Sequence, residues 1–302
     1  DVTNKGLELS ISGTPIQTRD FSWETGINVY GNRGRVKNLP QGLDIMYLTD
    51  VQYGNAKAAS YGDGLFMAIS GSRYARTKDG KIILDPNTMM PTWDGSTSYC
   101  IANREPKFQG GWNNTLSYKN FSFNMLWEFR HGGAVFNGTK YAMTMAGTSE
   151  LSANRERITI NGVVKDGDGY KDVSYTINAG DSYTVKIKNK KVERSGANII
   201  KDYYSTYYNY ETANWITQVN SLRLRTISLS YDLPKNWLAS TRVFKAASLQ
   251  VSASNLLLFT NYDGDPEVAA SGSGVGGSSS AGFDYCGVPS TASFSFGVNL
   301  TF

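Results

Sequence analysis

The stretch Ser293-Phe-Ser-Phe-Gly-Val-Asn-Leu-Thr-Phe302 decides how this chain folds. Phe294, Phe296, Val298, Leu300 and Phe302 share one parity, and Ser293, Ser295, Gly297, Asn299 and Thr301 share the other. Alternate side chains of an extended strand point to opposite faces, so the pattern predicts a strand with one oily and one polar face. Working back along the chain, the alternation recurs. Phe121, Phe123, Met125, Trp127 and Phe129 stand against Ser122, Asn124, Glu128 and Arg130, with Leu126 as the one exception. Leu249, Val251 and Ala253 oppose Ser248, Gln250 and Ser252, while Phe21, Trp23, Ile27 and Val29 oppose Ser22, Glu24 and Asn28. Leu7, Leu9 and Ile11 oppose Glu8, Ser10 and Ser12, and residues 107–118 carry a looser version through Phe108, Trp112, Leu116 and Tyr118. Between Ser221 and Tyr231 the phase slips, with Leu222 and Leu224 on one parity and Ile227, Leu229 and Tyr231 on the other. A β-bulge near Thr226 accounts for the slip. Together these segments predict seven strands.

Strand length separates a soluble sandwich from a membrane barrel. A ten-residue strand rises about 33 Å, or roughly 25 Å when tilted near 40°, which is the height of a barrel's apolar band. Strands of soluble sheets are nearer about five or six residues. The connections alternate as well: residues 13–20 and 118–121 are short, whereas 31–106, 131–220 and 259–291 are long. Membrane barrels have short turns at one end and long loops at the other. Residues 43–51 and 65–76 could add strands only as a pair, because a single extra crossing would invert every later turn; they are expected to fold within the first long loop. The fold class is all-β, an antiparallel transmembrane β-barrel.

Composition removes other classes. The 302 residues are 40% hydrophobic and 13% aromatic, which is ample for a folded unit rather than intrinsic disorder. No apolar run approaches the roughly 18 residues of a membrane helix. Thirty Lys and Arg against 26 Asp and Glu give a formal charge of +4, but the basic residues are scattered, so no nucleic-acid partner is expected. Cys100 and Cys286 lie far apart with no histidine nearby, so free thiols are expected and neither a metal nor a cofactor. His131, followed by Gly132 and Gly133, suggests a strand-end turn, and no base, orienter and nucleophile assemble around it. No enzyme is expected. Asp166-Gly-Asp-Gly169 lacks the further ligands of an EF-hand calcium loop and suggests a solvated turn. The start, Asp-Val-Thr-Asn, has no signal-peptide regions and suggests a mature or truncated chain.

Several longer stretches, in order, carry a resemblance to a known family. They are Asn103-Arg-Glu-Pro-Lys-Phe-Gln-Gly-Gly-Trp-Asn-Asn-Thr-Leu-Ser-Tyr-Lys-Asn-Phe-Ser-Phe123 with Arg130-His-Gly-Gly-Ala-Val-Phe-Asn-Gly-Thr139, then Ser221-Leu-Arg-Leu-Arg-Thr-Ile-Ser-Leu-Ser-Tyr-Asp-Leu-Pro234. Ser254-Asn-Leu-Leu-Leu-Phe-Thr-Asn-Tyr-Asp-Gly-Asp-Pro-Glu267 and the terminal alternation follow, and Gly13-Thr-Pro-Ile with Phe21-Ser-Trp extends the match towards the start. This pattern resembles SusC-like, RagA-type TonB-dependent outer-membrane transporters of Bacteroidetes type.

The resemblance implies that residues 1–302 are the C-terminal part of a 22-stranded plugged barrel whose plug and earlier strands lie outside this chain. It implies import of glycans or peptides across the cell outer membrane. It also implies a SusD-like lipoprotein over the long loops, TonB acting through the N-terminal region, and a dimer of transporter–lipoprotein pairs. A passive porin or a surface adhesin is the alternative. Tyr203, Tyr204, Tyr207, Tyr208, Tyr210 and Trp215 are candidate ligand or partner contacts, because aromatic faces stack on sugar rings and contact peptides. An aromatic girdle at a barrel edge is their structural alternative. Asp263 and Asp265 follow a strand end as further candidates, and Pro266 suggests a fixed turn beside them. The insertion around the Gly/Ser tract 271–282 is a candidate hinge within the third long loop.

Phe302 resembles the terminal aromatic signal read by barrel-assembly machinery, and its ring also extends the oily row. Deletion of Phe302 in the full-length protein is expected to slow membrane insertion in assembly assays. Unchanged kinetics would leave the ring as an interfacial anchor only.

Overall fold

The computed structural model describes residues 1–48, 54–153, 155–188, 190–239, 243–268 and 281–302. Seven long antiparallel strands form its main sheet: Val2–Gln17 (β1), Phe21–Val36 (β2), Phe108–Tyr118 (β3), Phe121–Asn137 (β4), Ile216–Asp232 (β5), Ala246–Thr260 (β6) and Ser293–Thr301 (β7). Each pairs with its predecessor, and β1 and β7 stand at opposite edges. Residues 18–20, 119–120 and 233–245 join strands at one end, and 37–107, 138–215 and 261–292 join them at the other. All seven expected strands are present.

Pairing turns the one-dimensional alternation into two surfaces. Ile16, Trp23, Leu116, Phe123, Leu229, Val251 and Phe296 lie side by side across the seven strands. The next row, Gln17, Ser22, Ser117, Ser122, Ser230, Gln250 and Gly297, points the other way. The apolar face is bare, with Leu7 80% and Phe296 70% exposed. Lipid is the medium in which such a face is stable, because between the β1 and β7 edges the strands pair their backbone groups with one another. Two polar residues on this face have a defined task. Thr25 Oγ1 accepts the indole N–H of Trp112 at 3.0 Å, and Asn114 Oδ1 accepts that of Trp23 at 3.0 Å. Each would otherwise be a bare donor in hydrocarbon. Phe21, Tyr118, Phe121 and Tyr231 form an aromatic row at the short-turn end, with the rings of Phe121 and Tyr231 4.5 Å apart.

The phase slip is a bulge at Arg225. Leu224 pairs with Trp127 and Leu257, Thr226 pairs with Leu126 and Ser254, and Arg225 is the extra residue between them. Two expectations are corrected in detail. The first turn is not residues 13–20, because β1 passes through an irregularity between Gly13 and Ile16 and runs on to Gln17. Pro15 sits in that irregularity, where a missing N–H is tolerated. His131 does not end its strand either. The register shifts between His131 and Ala134, Gly132 and Gly133 adopt φ of +75° and +82°, and β4 continues to Asn137.

The strand changes surroundings at that glycine pair. Below it β4 is half-exposed, whereas Ala134, Val135 and Phe136 are fully buried. Seventeen residues of β4 rise roughly 56 Å along the strand, or about 43 Å when tilted near 40°, more than the ~25 Å apolar band, so the upper part of the strand enters the loop mass. A Cβ at Gly133 would lie 2.7 Å from the Arg104 carbonyl and 2.8 Å from the Pro106 nitrogen. The Arg130 side chain donates to the Gly132 and Gly133 carbonyls, each at 3.1 Å.

The long connections fold into a body above the sheet. In the first, Ile45–Tyr47, Ala56–Tyr61, Ala68–Gly71 and Tyr99–Asn103 form a separate four-stranded sheet, so the expectation that this region folds within the loop holds for its described residues. The second contains helix α1 (Gly138–Ala146), the hairpins Arg157–Asp166/Gly169–Asn178 and Ser182–Ile187/Lys190–Ser195, and helix α2 (Gly196–Ser205). None of these follows from the alternation. Asp166-Gly-Asp-Gly169 is the tip of the first hairpin, with Gly167 at φ +57°. In the third, Phe283–Asp284 pairs in parallel with Phe136–Asn137 at the top of β4.

Replacing Phe296 or Phe123 with Arg should destabilise the full-length barrel by about 2–4 kcal/mol, and the same change at Ser295 or Ser122 by clearly less, in unfolding from lipid vesicles. Equal losses on both faces would overturn the assignment. Gly133→Ala should cost about 1–3 kcal/mol through its left-handed φ and crowded Cβ, seen as a lower melting temperature.

Candidate functional site

The inner, polar face is lined mainly by Ser, Thr, Asn and Gln at the short-turn end, with Glu24 among them, and is densely charged at the long-loop end. Arg223 and Glu128 are cross-strand partners on β5 and β4, and the bulge turns Arg225 and Thr226 onto the same face. Arg225 Nε donates to Glu128 Oε2 at 2.7 Å, its Nη1 to Asn255 Oδ1 at 3.1 Å, and its Nη2 to Glu267 at 2.8 and 2.9 Å. Asn255 is itself held at φ +55° where β6 accommodates the bulge. Beside this network Arg223 pairs with Asp265, both side chains being almost fully buried. A cavity of about 450 Å³ opens over the network, lined by Tyr30, Gln109, Glu128, Arg130, Ser221 and Glu267 among others. Glu128 and Glu267 are 40% and 39% exposed at the side chain, so their carboxylates face the open space with Arg225 as counter-ion. This constellation offers hydrogen-bond acceptors and a fixed cation to a polar solute. It does not assemble a nucleophile with a base and an orienting partner.

Asp265 is a strut. Its carboxylate accepts the backbone N–H of Glu267 at 3.0 Å and of Ser290 at 3.1 Å, closing the third loop over Arg223. Burial alone would raise its pKa, but these donors and Arg223 outweigh it and hold the carboxyl below the usual carboxylate range. Asp263 lies outside this cluster, paired with Lys140 at 2.7 Å and largely exposed. Residues 266 and 267 form the turn expected at Pro266. The neighbouring Tyr262 is buried and donates to Asp284 Oδ2 at 2.9 Å; burial and the facing carboxylate push its phenol far above its ordinary pKa.

The six aromatic candidates come together, although not as a strand-edge girdle. Tyr203 and Tyr204 are on α2, Tyr207, Tyr208 and Tyr210 on a following 3₁₀ turn, and Trp215 just before β5, all within the second loop. The girdle at the short-turn end is made by Phe21, Tyr118, Phe121 and Tyr231 instead. Tyr203 meets Tyr204 and Tyr208 edge to face at 5.1 and 5.7 Å, Tyr204 and Tyr208 lie tilted at 6.0 Å, and Tyr208 continues to Trp215 at 5.3 Å. The row bridges two cores: one around Phe136, Trp215 and Phe283, the other around Ile158, Ile177 and Ile200. Burial pushes the phenol of Tyr203 well above its ordinary pKa. The tyrosines are half-buried, and Tyr210 meets the exposed Trp93 at 6.3 Å, which leaves that pair at the surface.

The Asn103–Pro106 stretch is a second strut. Glu105 accepts the Gly34 N–H at 2.8 and 3.1 Å, and the Arg104 guanidinium stacks over Phe283 at 5.4 Å, where burial lowers its pKa to about 10. Cys100 and Cys286 are both free thiols. Residues 271–280 of the Gly/Ser tract lie outside the described residues.

Comparison with known proteins gives this geometry a context. No family model matches the chain. TonB-dependent receptor P3 of Formosa agariphila is 26% identical over 325 residues, covering 100% of this chain and 29% of that protein. TonB-dependent receptor SusC of Bacteroides thetaiotaomicron is 22% identical, covering 99% of this chain and 26% of that protein. Among solved structures, the RagAB peptide importer in its open-open state superposes with a TM-score of 0.60 at 19% identity, covering 100% of this chain and 29% of that one. The resemblance to SusC-like TonB-dependent receptors therefore runs the length of the chain, and the fold is that of the barrel portion of such proteins. The chain spans under a third of the length of these relatives.

Asp265→Asn should leave Arg223 with only its longer ion pair to Glu267 at 3.3 Å and loosen the third loop, at a cost below the about 3–5 kcal/mol of a fully broken buried pair. Limited proteolysis of the full-length protein after residue 260 reads it. The folded pKa of Asp265 is lowered, so its contribution is complete above the unfolded carboxylate value and is lost as pH falls through the folded one. Protection of the wild-type loop should hold at neutral pH and fail only under strong acid.

Proposed function

We propose that the chain is the closing, C-terminal part of the barrel of an outer-membrane TonB-dependent transporter that imports oligosaccharides or peptides together with a SusD-like surface lipoprotein. The observation that supports this most is the pairing of a continuous lipid-compatible face with a polar inner face whose charged groups gather beneath the folded long loops. A structural barrel needs the first feature only. In this reading the long connections are extracellular, and the Glu128–Arg225–Glu267 network lies where solute passes from the loop mass into the lumen. Another stretch of the same transporter pairs with the edges of β1 and β7, since unpaired backbone groups in lipid cost several kcal/mol each. The plug and the TonB-contacting segment belong to that remainder, and two transporter–lipoprotein pairs form the assembly.

The same site suits both solute classes. Carboxylates and tyrosines accept sugar hydroxyls, while the alternation of carboxylate, guanidinium and carboxylate matches a peptide's alternating charges. RagAB is a peptide importer, and that likeness favours testing peptides first.

Uptake of labelled peptides and oligosaccharides into cells carrying the full-length gene, with and without TonB, tests the reading. Concentrative uptake that disappears without TonB is expected; entry that persists without TonB would establish the passive porin instead. Glu128→Gln is expected to raise the uptake KM several-fold with the amount of heat-modifiable folded barrel unchanged.

A further inference from the structure

The outward face of β1 and β2 changes character at its long-loop end. Ile11 and Ile27, then Leu9 and Val29, form paired apolar rungs; the next rung is Leu7 with Gly31, and the one after that is Lys5 with Arg33. Thr3 with Arg35 follows, and Lys37 and Lys107 complete a basic lip. Gly31 carries no side chain, which lets the Lys107 backbone close against it, and a groove of about 890 Å³ runs from Leu7, Leu9, Val29 and Phe108 up to the five cations. Lys5 and Arg33 are direct cross-strand partners, a like-charge arrangement that destabilises a sheet on its own. Among the described residues no carboxylate forms an ion pair with any of the five. Glu8 has the inward parity, and Glu105 is engaged by the Gly34 N–H on the inner side.

We propose that this groove binds a phosphorylated glycolipid of the outer leaflet, with its acyl chains along Leu7, Leu9 and Val29 and its phosphate among Lys5, Arg33 and Arg35. The proposal rests on the reading that the long connections face the cell exterior. Its own support is charge complementarity at a fixed height: the cations begin one rung above the last leucine, where hydrocarbon gives way to headgroups. Basic pockets on membrane proteins recognise phosphate headgroups in this way, at about 1 kcal/mol per cation near the surface. The ligand is amphipathic, because free phosphate would leave the apolar half of the groove unused. A strand that pairs with the β1 edge does so in the plane of the sheet and leaves this face open.

The test uses the purified full-length transporter in mild detergent, titrated with phosphorylated lipid A, dephosphorylated lipid A or inorganic phosphate, with bound lipid counted by native mass spectrometry. Wild type should retain phosphorylated lipid A, and the triple variant Lys5→Gln, Arg33→Gln, Arg35→Gln should bind it roughly 100-fold more weakly, from three cations at about 1 kcal/mol each. Lys78→Gln, on an exposed turn away from the groove, should bind as wild type. Heat-modifiable migration of each variant confirms the folded barrel. Equal retention of the dephosphorylated lipid, or equal binding by the triple variant, would overturn the proposal. Orientation is read separately from an Asp168→Cys variant at the hairpin tip, made in a Cys100→Ser, Cys286→Ser background because both native thiols are free, and labelled on intact cells by an impermeant maleimide. Labelling with no lipid binding rejects the groove alone, whereas absent labelling rejects the orientation and the groove with it.

Discussion

Hydrocarbon offers backbone N–H and C=O groups no partner, and the architecture follows from that single constraint. A sheet that satisfies each strand from its neighbour can stand in lipid provided one face is apolar. Sequential antiparallel pairing is the simplest arrangement, and it lets strict period-two alternation along each strand become continuous rows across all seven. The constraint reaches side chains too. The indoles of Trp23 and Trp112 lie on the oily face only because Asn114 and Thr25 stand beside them as acceptors.

Once the sheet is fixed, the inner wall is free to be polar, and its irregularities carry the distinctive chemistry. A regular β5 would alternate Arg223, Arg225 and Ile227 on one face; the bulge keeps both arginines inside while returning Ile227 to lipid. One inserted residue thus reconciles a hydrophobic requirement below with an electrostatic one above. The glycine pair in β4 does comparable work, redirecting the strand from lipid into the buried core around Phe136 without breaking its pairing to β5.

How much of this was legible in the sequence follows from which interactions are local. Alternation is a property of adjacent residues, so Phe294 to Phe302 announced a strand and the phase slip beside Thr226 announced a bulge. The role of Asp265 was not visible in that way, because its partner Arg223 is 42 residues distant and is met only after the third loop folds back. Tyr203 to Trp215 showed an aromatic cluster, but their packing between two cores depends on hairpins whose short strands give only weak periodic signals. Glu128 and Arg130 had the inward parity from the start. Their importance came from Glu267, delivered by a loop. Gly132-Gly133 looked like a terminus because positive φ is needed both at strand ends and at bulges, and only the partner strand distinguishes the two.

The parallel seam between Phe283–Asp284 and the top of β4 has a consequence for how such a chain diversifies. Val268 and Ala281 bracket the Gly/Ser tract, and each adjoins a fastened point: the Asp265 strut on one side, Arg104 and the seam on the other. Residues added between two fastened points change closure entropy slowly, by about 0.6 kcal/mol for each doubling of length. The length of sequence between Val268 and Ala281 can therefore change while strand register and wall chemistry stay as they are, so the fastened points and not the segment between them carry the architecture.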